Sequence, residues 1–214
     1  MNLKMLIRKG LRVYPFVRTK SYIGINRILF RLFGVKAGKN LRVFDRFYLT
    51  MHPGASLTIG DNFTFSSGDG INPLCRNLRG KIFIDNNASI VIGNNVGISS
   101  ACLWAKERIT IGDKVKIGGD CILMDTDAHN LDYQVRNGGE TDENGISIDT
   151  LSANSSPIVI ENDVLIGTRC IILKGVTLGA RSIIAAGSVV TKSIPADCIA
   201  GGNPCKVIRY INGK

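Results

Sequence analysis

From Ile160 to Pro195 the chain repeats every six residues: IENDVL, IGTRCI, ILKGVT, LGARSI, IAAGSV, VTKSIP. An aliphatic residue opens each hexad (Ile160, Ile166, Ile172, Leu178, Ile184, Val190), and the fifth place holds Val164, Cys170, Val176, Ser182, Ser188 and Ile194, mostly small or β-branched. A period of six fits neither an amphipathic helix, whose apolar face recurs at three and four, nor a half-buried strand, whose faces alternate at two. It fits a chain that makes a short strand, turns and repeats, so that three hexads close one triangular coil and successive coils stack as parallel strands about 4.8 Å apart. The first position then points into the prism and the fifth sits inward near a corner. The repeat predicts an all-β solenoid, a left-handed parallel β-helix in which each coil buries its neighbour.

The net charge of +10 is local rather than general. Eleven Lys and Arg and no acid lie between Met1 and Arg42, leaving 16 of the 27 basic residues to face all 17 acids elsewhere. Nucleic-acid binding is not expected, because the basic residues are not interleaved with stacking aromatics and no recognised module is present. Six cysteines show no paired spacing. Cys102, Cys121 and Cys170 fall at the fifth place of hexads opened by Ile98, Ile117 and Ile166, where a thiol serves as a small apolar group. The N-terminus, MNLKMLIRKGLRVYPF, has charges too frequent for an export-signal core, and no apolar run approaches the roughly 20 residues of a membrane span. A cytoplasmic protein with reduced thiols is expected.

Three parts follow. Residues 1–40 form a basic helical segment, read as two amphipathic helices broken near Pro15. It can cap the open end of the solenoid, where strand edges would otherwise invite association, or lie on an anionic membrane surface. Residues 41–195 form the β-helix, and 196–214 a tail that folds back over the last coil. The repeat loses frame twice, through Ser66 to Arg79 and again after His129, where a polar stretch runs to residue 157. A loop as long as 130–157 inside a compact repeat is expected to be functional and extruded.

Only two histidines exist, His52 and His129. A β-helical carbonic anhydrase needs three imidazoles on zinc, so that activity is disfavoured by arithmetic, and no metal site is expected. His52 reads as an exposed turn residue in Met-His-Pro-Gly. His129 lies where the repeat stops, in MDTDAHN. A neutral imidazole at a coil's rim can take a proton from a hydroxyl while a carboxylate holds its other nitrogen protonated, and Asp125 and Asp127 are the near candidates.

The hexads, the His129 loop and the ending GNPCKVIR together resemble the hexapeptide-repeat acyltransferases, among them the sugar O-acetyltransferases related to galactoside and maltose acetyltransferases and to enzymes that decorate surface polysaccharides. The resemblance is strong from about Ile109 to Arg209, weaker from Val35 to Glu107 and absent from the basic N-terminus. It implies a homotrimer with acetyl-CoA between two subunits, a saccharide acceptor, and His129 at the family's catalytic position. It also implies cofactor contacts at Gly167, Thr168, Ala186, Thr191 and Lys192, with Lys206 and Arg209 near the nucleotide's phosphates. On the acceptor side Ser99 and Asn130 are the candidates. An acid that helps position the sugar in galactoside-type members has no clear equivalent near Trp104-Ala105-Lys106-Glu107, so a galactoside or maltose acceptor is not the expectation, while the transfer chemistry is. The expected activity is O-acetyl transfer from acetyl-CoA to a saccharide hydroxyl, on a surface polysaccharide or its lipid-linked precursor at the inner membrane face. Two rivals stay open: an O-acetyltransferase of chloramphenicol or streptogramin type, and a non-catalytic β-helical scaffold.

Overall fold

A computed structural model of the chain describes residues 3–68, 74 and 78–211. Among these residues short strands wind into six full coils, stacked in parallel as three sheets that form the three faces of a prism. The left-handed parallel β-helix read from the hexads is the fold. In the fifth coil Ile158–Ile160 lies on the first face, Leu165–Ile166 on the second and Ile171–Leu173 on the third. Each hexad-opening residue pairs with its counterpart three hexads on: Ile160 with Leu178, Ile166 with Ile184, Ile172 with Val190.

The reason is burial. Ile160, Ile166, Ile172, Leu178, Ile184 and Val190 are all at most 1% exposed, and the fifth-place residues Val164, Cys170, Val176, Ser182 and Ser188 are equally inside. Each such aliphatic side chain contributes roughly 1.5–3 kcal/mol, so a stack of identical coils is held by its own repetition. Where the first face turns into the second, side chains of Asp61, Asn94, Asp113 and Asn162 form a ladder. Each carboxylate or amide oxygen accepts the main-chain N–H of the coil before it, at 2.6–2.8 Å. Gly112 permits this stacking, since a Cβ there would stand 2.9 Å from Asn162 N.

Cys121 and Cys170 occupy the buried corner as expected, but Cys102 does not. Ile98 pairs with Ile117 and Cys102 with Ile122, so the third coil turns its second corner with one residue fewer than the fourth. Ala101 takes the inward place, and Cys102 turns to the outer surface of the third face, half-buried. All five cysteines among the described residues are free; Cys75 lies outside them, as does much of the loop expected from Ser66 to Arg79.

The N-terminal segment is one helix, α1 (Leu3–Leu32), rather than two. Pro15 falls within it: proline removes one main-chain donor, and the helical spacing of apolar residues on either side carries the helix through. Its C-terminal half closes the open end of the prism. Phe30 is 1% exposed and lies against Phe47, the buried Asn26 donates to Val43 O and Asp45 O at 2.9 Å, and Arg18 grips the Asp45 carboxylate with two nitrogens. At the other end the strand Cys198–Gly201 still pairs in parallel with Ile183–Ile184. The chain then reverses, and Lys206–Tyr210 runs antiparallel along that edge.

Candidate active site

The site is built where the fourth coil fails to return directly to the first face. After the strand Ile122–Met124 the chain leaves the prism and re-enters at Ile158–Ile160. The stem of this excursion is tied shut: Asp127 N–H bonds Asn154 O at 2.9 Å and Ser156 N–H bonds Asp125 O at 2.9 Å. Two short helices lie within it, α2 (Tyr133–Asn137), capped by the Asp132 side chain, and α3 (Ile148–Leu151). Ala128 adopts φ 64°, a left-handed conformation that costs a non-glycine residue roughly 1–2 kcal/mol, and it turns the chain immediately before His129.

His129 Nδ1 lies 2.5 Å from Asp149 Oδ2, while Asp149 Oδ1 accepts the Asn130 main-chain N–H at 2.7 Å. The carboxylate is nearly buried and the imidazole largely exposed, at 10% and 62% of their side chains. The His129 hydrogen bond, aided by the Asn130 amide, holds the Asp149 carboxyl below its usual range. Asp149 therefore stays ionised and fixes the proton of a neutral imidazole on Nδ1, leaving the Nε2 lone pair to accept.

The two acids nearest in sequence do other work. Asp125 is fully buried, and its carboxylate accepts the main-chain N–H groups of Lys106, Glu107 and Arg108 at 2.6, 2.9 and 2.7 Å, locking the corner one coil below. Burial pushes its carboxyl up and these three donors oppose the shift. Asp127 Oδ2 lies 3.2 Å from Lys174 Nζ, an ion pair without hydrogen-bonding alignment. Neither takes the orienting place on His129 that proximity suggested, because a residue two or four positions away on the same corner turns its side chain elsewhere.

Lys106 matters in its place. Its ammonium donates to the carbonyls of Thr150, Leu151 and Ala153 at 2.5, 3.1 and 2.8 Å, pinning the open end of α3, the helix that carries Asp149. Burial lowers its pKa, opposed by the charges of Asp85, Asp125 and Asp149. Sequence reasoning passed over Asp149 and Lys106, twenty and twenty-three residues from His129, because nothing in loop composition says which of several acids folds back. The Asn130 side chain, expected at the acceptor, is used within the excursion: Nδ2 donates to Ser152 Oγ at 2.8 Å and Oδ1 accepts from Asp132 N at 2.8 Å.

A cleft of about 480 Å³ opens beside His129 along the corner between the third and first faces. His52 is exposed, as expected of a turn residue, and lines this same cleft. Thr191 and Lys192 follow the strand Val189–Val190 at that same corner, two coils beyond His129. The remaining expected cofactor positions lie elsewhere on the prism. Ser99 and Gly167 line a shallow groove of about 360 Å³ on the second face. Thr168 and Ala186 stand at the corner between second and third faces, where the Thr168 hydroxyl donates to Gly119 O at 2.6 Å. Lys206 and Arg209 lie on the antiparallel edge strand of the second sheet. One chain thus presents the two halves of the expected site on different sides of the prism. Among the described residues, no group of three or more His, Cys, Asp or Glu is placed to hold a metal.

Comparison with known proteins agrees with this architecture. A family model described as the hexapeptide repeat of succinyl-transferase matches residues 157–192. Over 134 residues the chain is 42% identical to the galactoside O-acetyltransferase of Escherichia coli (strain K12), a match covering 62% of this chain and 60% of that protein. Among solved structures, the hexapeptide-repeat acetyltransferase of Vibrio cholerae complexed with acetyl-CoA is 31% identical with a TM-score of 0.52, over 70% of this chain and 71% of that one. A galactoside acetyltransferase in complex with coenzyme A is 32% identical with a TM-score of 0.50, over 71% and 66%. On these similarities, together with the coils that the hexads build, the chain belongs to the hexapeptide-repeat acyltransferase family.

Proposed function

We propose that the protein transfers acetyl from acetyl-CoA to a hydroxyl of a saccharide, with His129 as general base. The observation that carries this reading is the His129–Asp149 pair at the rim of an open cleft, an imidazole held in one tautomer with Nε2 directed away from its partner. The similarity to a galactoside O-acetyltransferase supports the acceptor class.

In the proposed mechanism His129 Nε2 takes the proton of the acceptor hydroxyl as its oxygen attacks the thioester carbonyl. A C–O bond forms, the tetrahedral intermediate collapses with cleavage of the C–S bond, and the imidazolium returns the proton to the departing thiolate. Asp149 stabilises the imidazolium in between. General-base assistance of this kind accelerates by on the order of 10²–10⁴.

The division of the expected contacts between two sides of one prism supports a homotrimer in which acetyl-CoA lies between subunits. The second-face groove with Gly167, and the adjoining corner with Thr168 and Ala186, from one chain would then complete the cleft at His129, Thr191 and Lys192 of the next. That groove, lined by Ser66, Gly97, Ser99 and Gly118 among others, would take the extended pantetheine arm. Lys206 and Arg209 would meet the phosphates.

The N-terminal helix supports work at the inner membrane face on a lipid-linked acceptor. Val13, Val17, Ile25, Ile28 and Leu32 are each more than half exposed along one side of α1, within the acid-free segment of eleven basic residues. Among the described residues no helix is long and apolar enough to cross a membrane, so this contact would be peripheral. Sedimentation with anionic vesicles tests it, and equal binding to neutral vesicles would dismiss it. The reaction itself is tested by thiol release from acetyl-CoA across a saccharide panel; absence of release with every saccharide, alongside release with chloramphenicol, would replace the acceptor class.

A further inference from the structure

The cleft beside His129 has a wall that the proposed chemistry does not use. His52, Phe83 and Trp104 climb the outer surface of the prism one coil at a time, with ring centroids 5.2 Å apart between the first pair and 5.8 Å between the second. On the strands Lys81–Ile84 and Cys102–Ala105 the inward residues Ile82, Ile84, Leu103 and Ala105 are fully buried, so Phe83 and Trp104 necessarily face outward. Phe83 pairs directly with Trp104 across neighbouring coils, and their rings meet edge to face at 81°. The opposite lip is formed by Ile146 and Leu151 from the excursion that carries Asp149.

Two further features give this wall a chemical preference. The Trp104 indole N–H donates to Asp85 Oδ2 at 2.9 Å, which satisfies the only polar atom of the side chain and fixes its plane. Around the aromatic surface stand polar groups: Asp85 and Asn86 at one end, Thr126 and His129 at the other. A surface that is aromatic at its centre and hydrogen-bonding at its ends suits a ring with an apolar C–H face and hydroxyls around its equator.

Building on the acetyl-transfer reading, we propose that Trp104, braced edge to face by Phe83, is the platform that binds the acceptor as a pyranoside. The sugar's C–H face lies against the aromatic wall, and its equatorial hydroxyls reach Asp85 and Asn86 at one end and His129 at the other. Trp104 is accordingly a specificity-determining residue: it selects a ring that can stack, and the polar ends select which hydroxyl meets the base.

Trp104 is the only tryptophan of the chain, so its emission reports this wall alone. The full-length protein is titrated with methyl pyranosides, without acetyl-CoA, and saturable quenching or a shift of emission is expected for those that also support thiol release. Trp104→Ala and Trp104→Phe are then compared with wild type by initial rates. The alanine variant is expected to raise KM for the saccharide roughly tenfold to thirtyfold while leaving KM for acetyl-CoA within about twofold, with phenylalanine between the two. The titration uses unmodified protein, so it decides the question even if the alanine variant does not fold. Thiol release that proceeds with no emission change, or with the saccharide KM of both variants within about twofold, overturns the platform and leaves the transferase reading intact. Emission that responds to pyranosides while no acceptor elicits thiol release supports the platform and overturns the transferase reading. A response to chloramphenicol alone overturns the pyranoside.

Discussion

Replacing Asp149 with asparagine changes almost nothing in shape and should remove most of the activity. The amide oxygen can still accept the Asn130 N–H, which lies 2.7 Å from Oδ1 in the native protein. The other terminus, however, becomes an NH₂ group placed 2.5 Å from His129 Nδ1, where an ionised oxygen had been. Two donors cannot face each other, so Nδ1 becomes the acceptor and the imidazole proton moves to Nε2, the atom proposed to receive the substrate's proton. The charge-assisted hydrogen bond between carboxylate and imidazole is lost with it. A wrong tautomer in a comparable triad costs about 10⁴ and general-base assistance is worth on the order of 10²–10⁴, so kcat should fall by that latter range. KM for acetyl-CoA should stay within about threefold, because both Asp149 oxygens are engaged inside the excursion, by His129 and the Asn130 N–H. Initial rates of thiol release measure this. Asp127→Asn, whose carboxylate pairs with Lys174, should stay within about threefold of wild type. A fall in the Asp127 variant with the Asp149 variant near wild type would refute the assignment. The acid dependence has a definite sign. The Asp149 carboxyl is held below its ordinary value by His129. What the pair contributes to stability is thus fully present above about pH 4 and is lost only as pH falls through the lowered value. Its titration places no limb on the rate profile between about pH 5 and 8.

Other substitutions probe the frame around the site. Asp125→Asn withdraws an ionised acceptor from three main-chain donors in a buried corner and should cost about 2–4 kcal/mol in urea unfolding. Lys106→Met unpins α3 from three carbonyls and should lower kcat roughly tenfold to a hundredfold through loss of Asp149 placement, with a smaller change in KM. Ser182 occupies a buried fifth place with its hydroxyl unpartnered, so Ser182→Ala should stabilise the protein by about 1 kcal/mol, seen as a melting temperature a few degrees higher. Ile166→Ala, in the middle of the second-face stack, should destabilise by about 2–5 kcal/mol.

The coils could be read from the sequence because each hexad repeats one local rule, aliphatic in and small at the corner, and a rule repeated six times needs no knowledge of distant contacts. Where the rule slips by a single residue, as at Cys102, the sequence still looks in frame while the side chain turns outward. His129 stood out as the candidate base because it stands where the repeat breaks. Its partner was not, since Asp149 reaches it only after a twenty-residue excursion folds back, and the position of that fold depends on Lys106 holding three carbonyls of another segment. The aromatic wall was hidden for the same reason. Phe83 and Trp104 are twenty-one residues apart, and only the length of the coil between them brings the two rings together.

The central claim is that His129 is the base for transfer from acetyl-CoA to a saccharide hydroxyl. Its most direct test is thiol release with an active saccharide, measured for wild type and for His129→Ala. Wild type should release thiol in proportion to acetylated product, and the variant should fall by on the order of 10²–10⁴ while still binding acetyl-CoA. A variant that retains the wild-type rate would contradict the account.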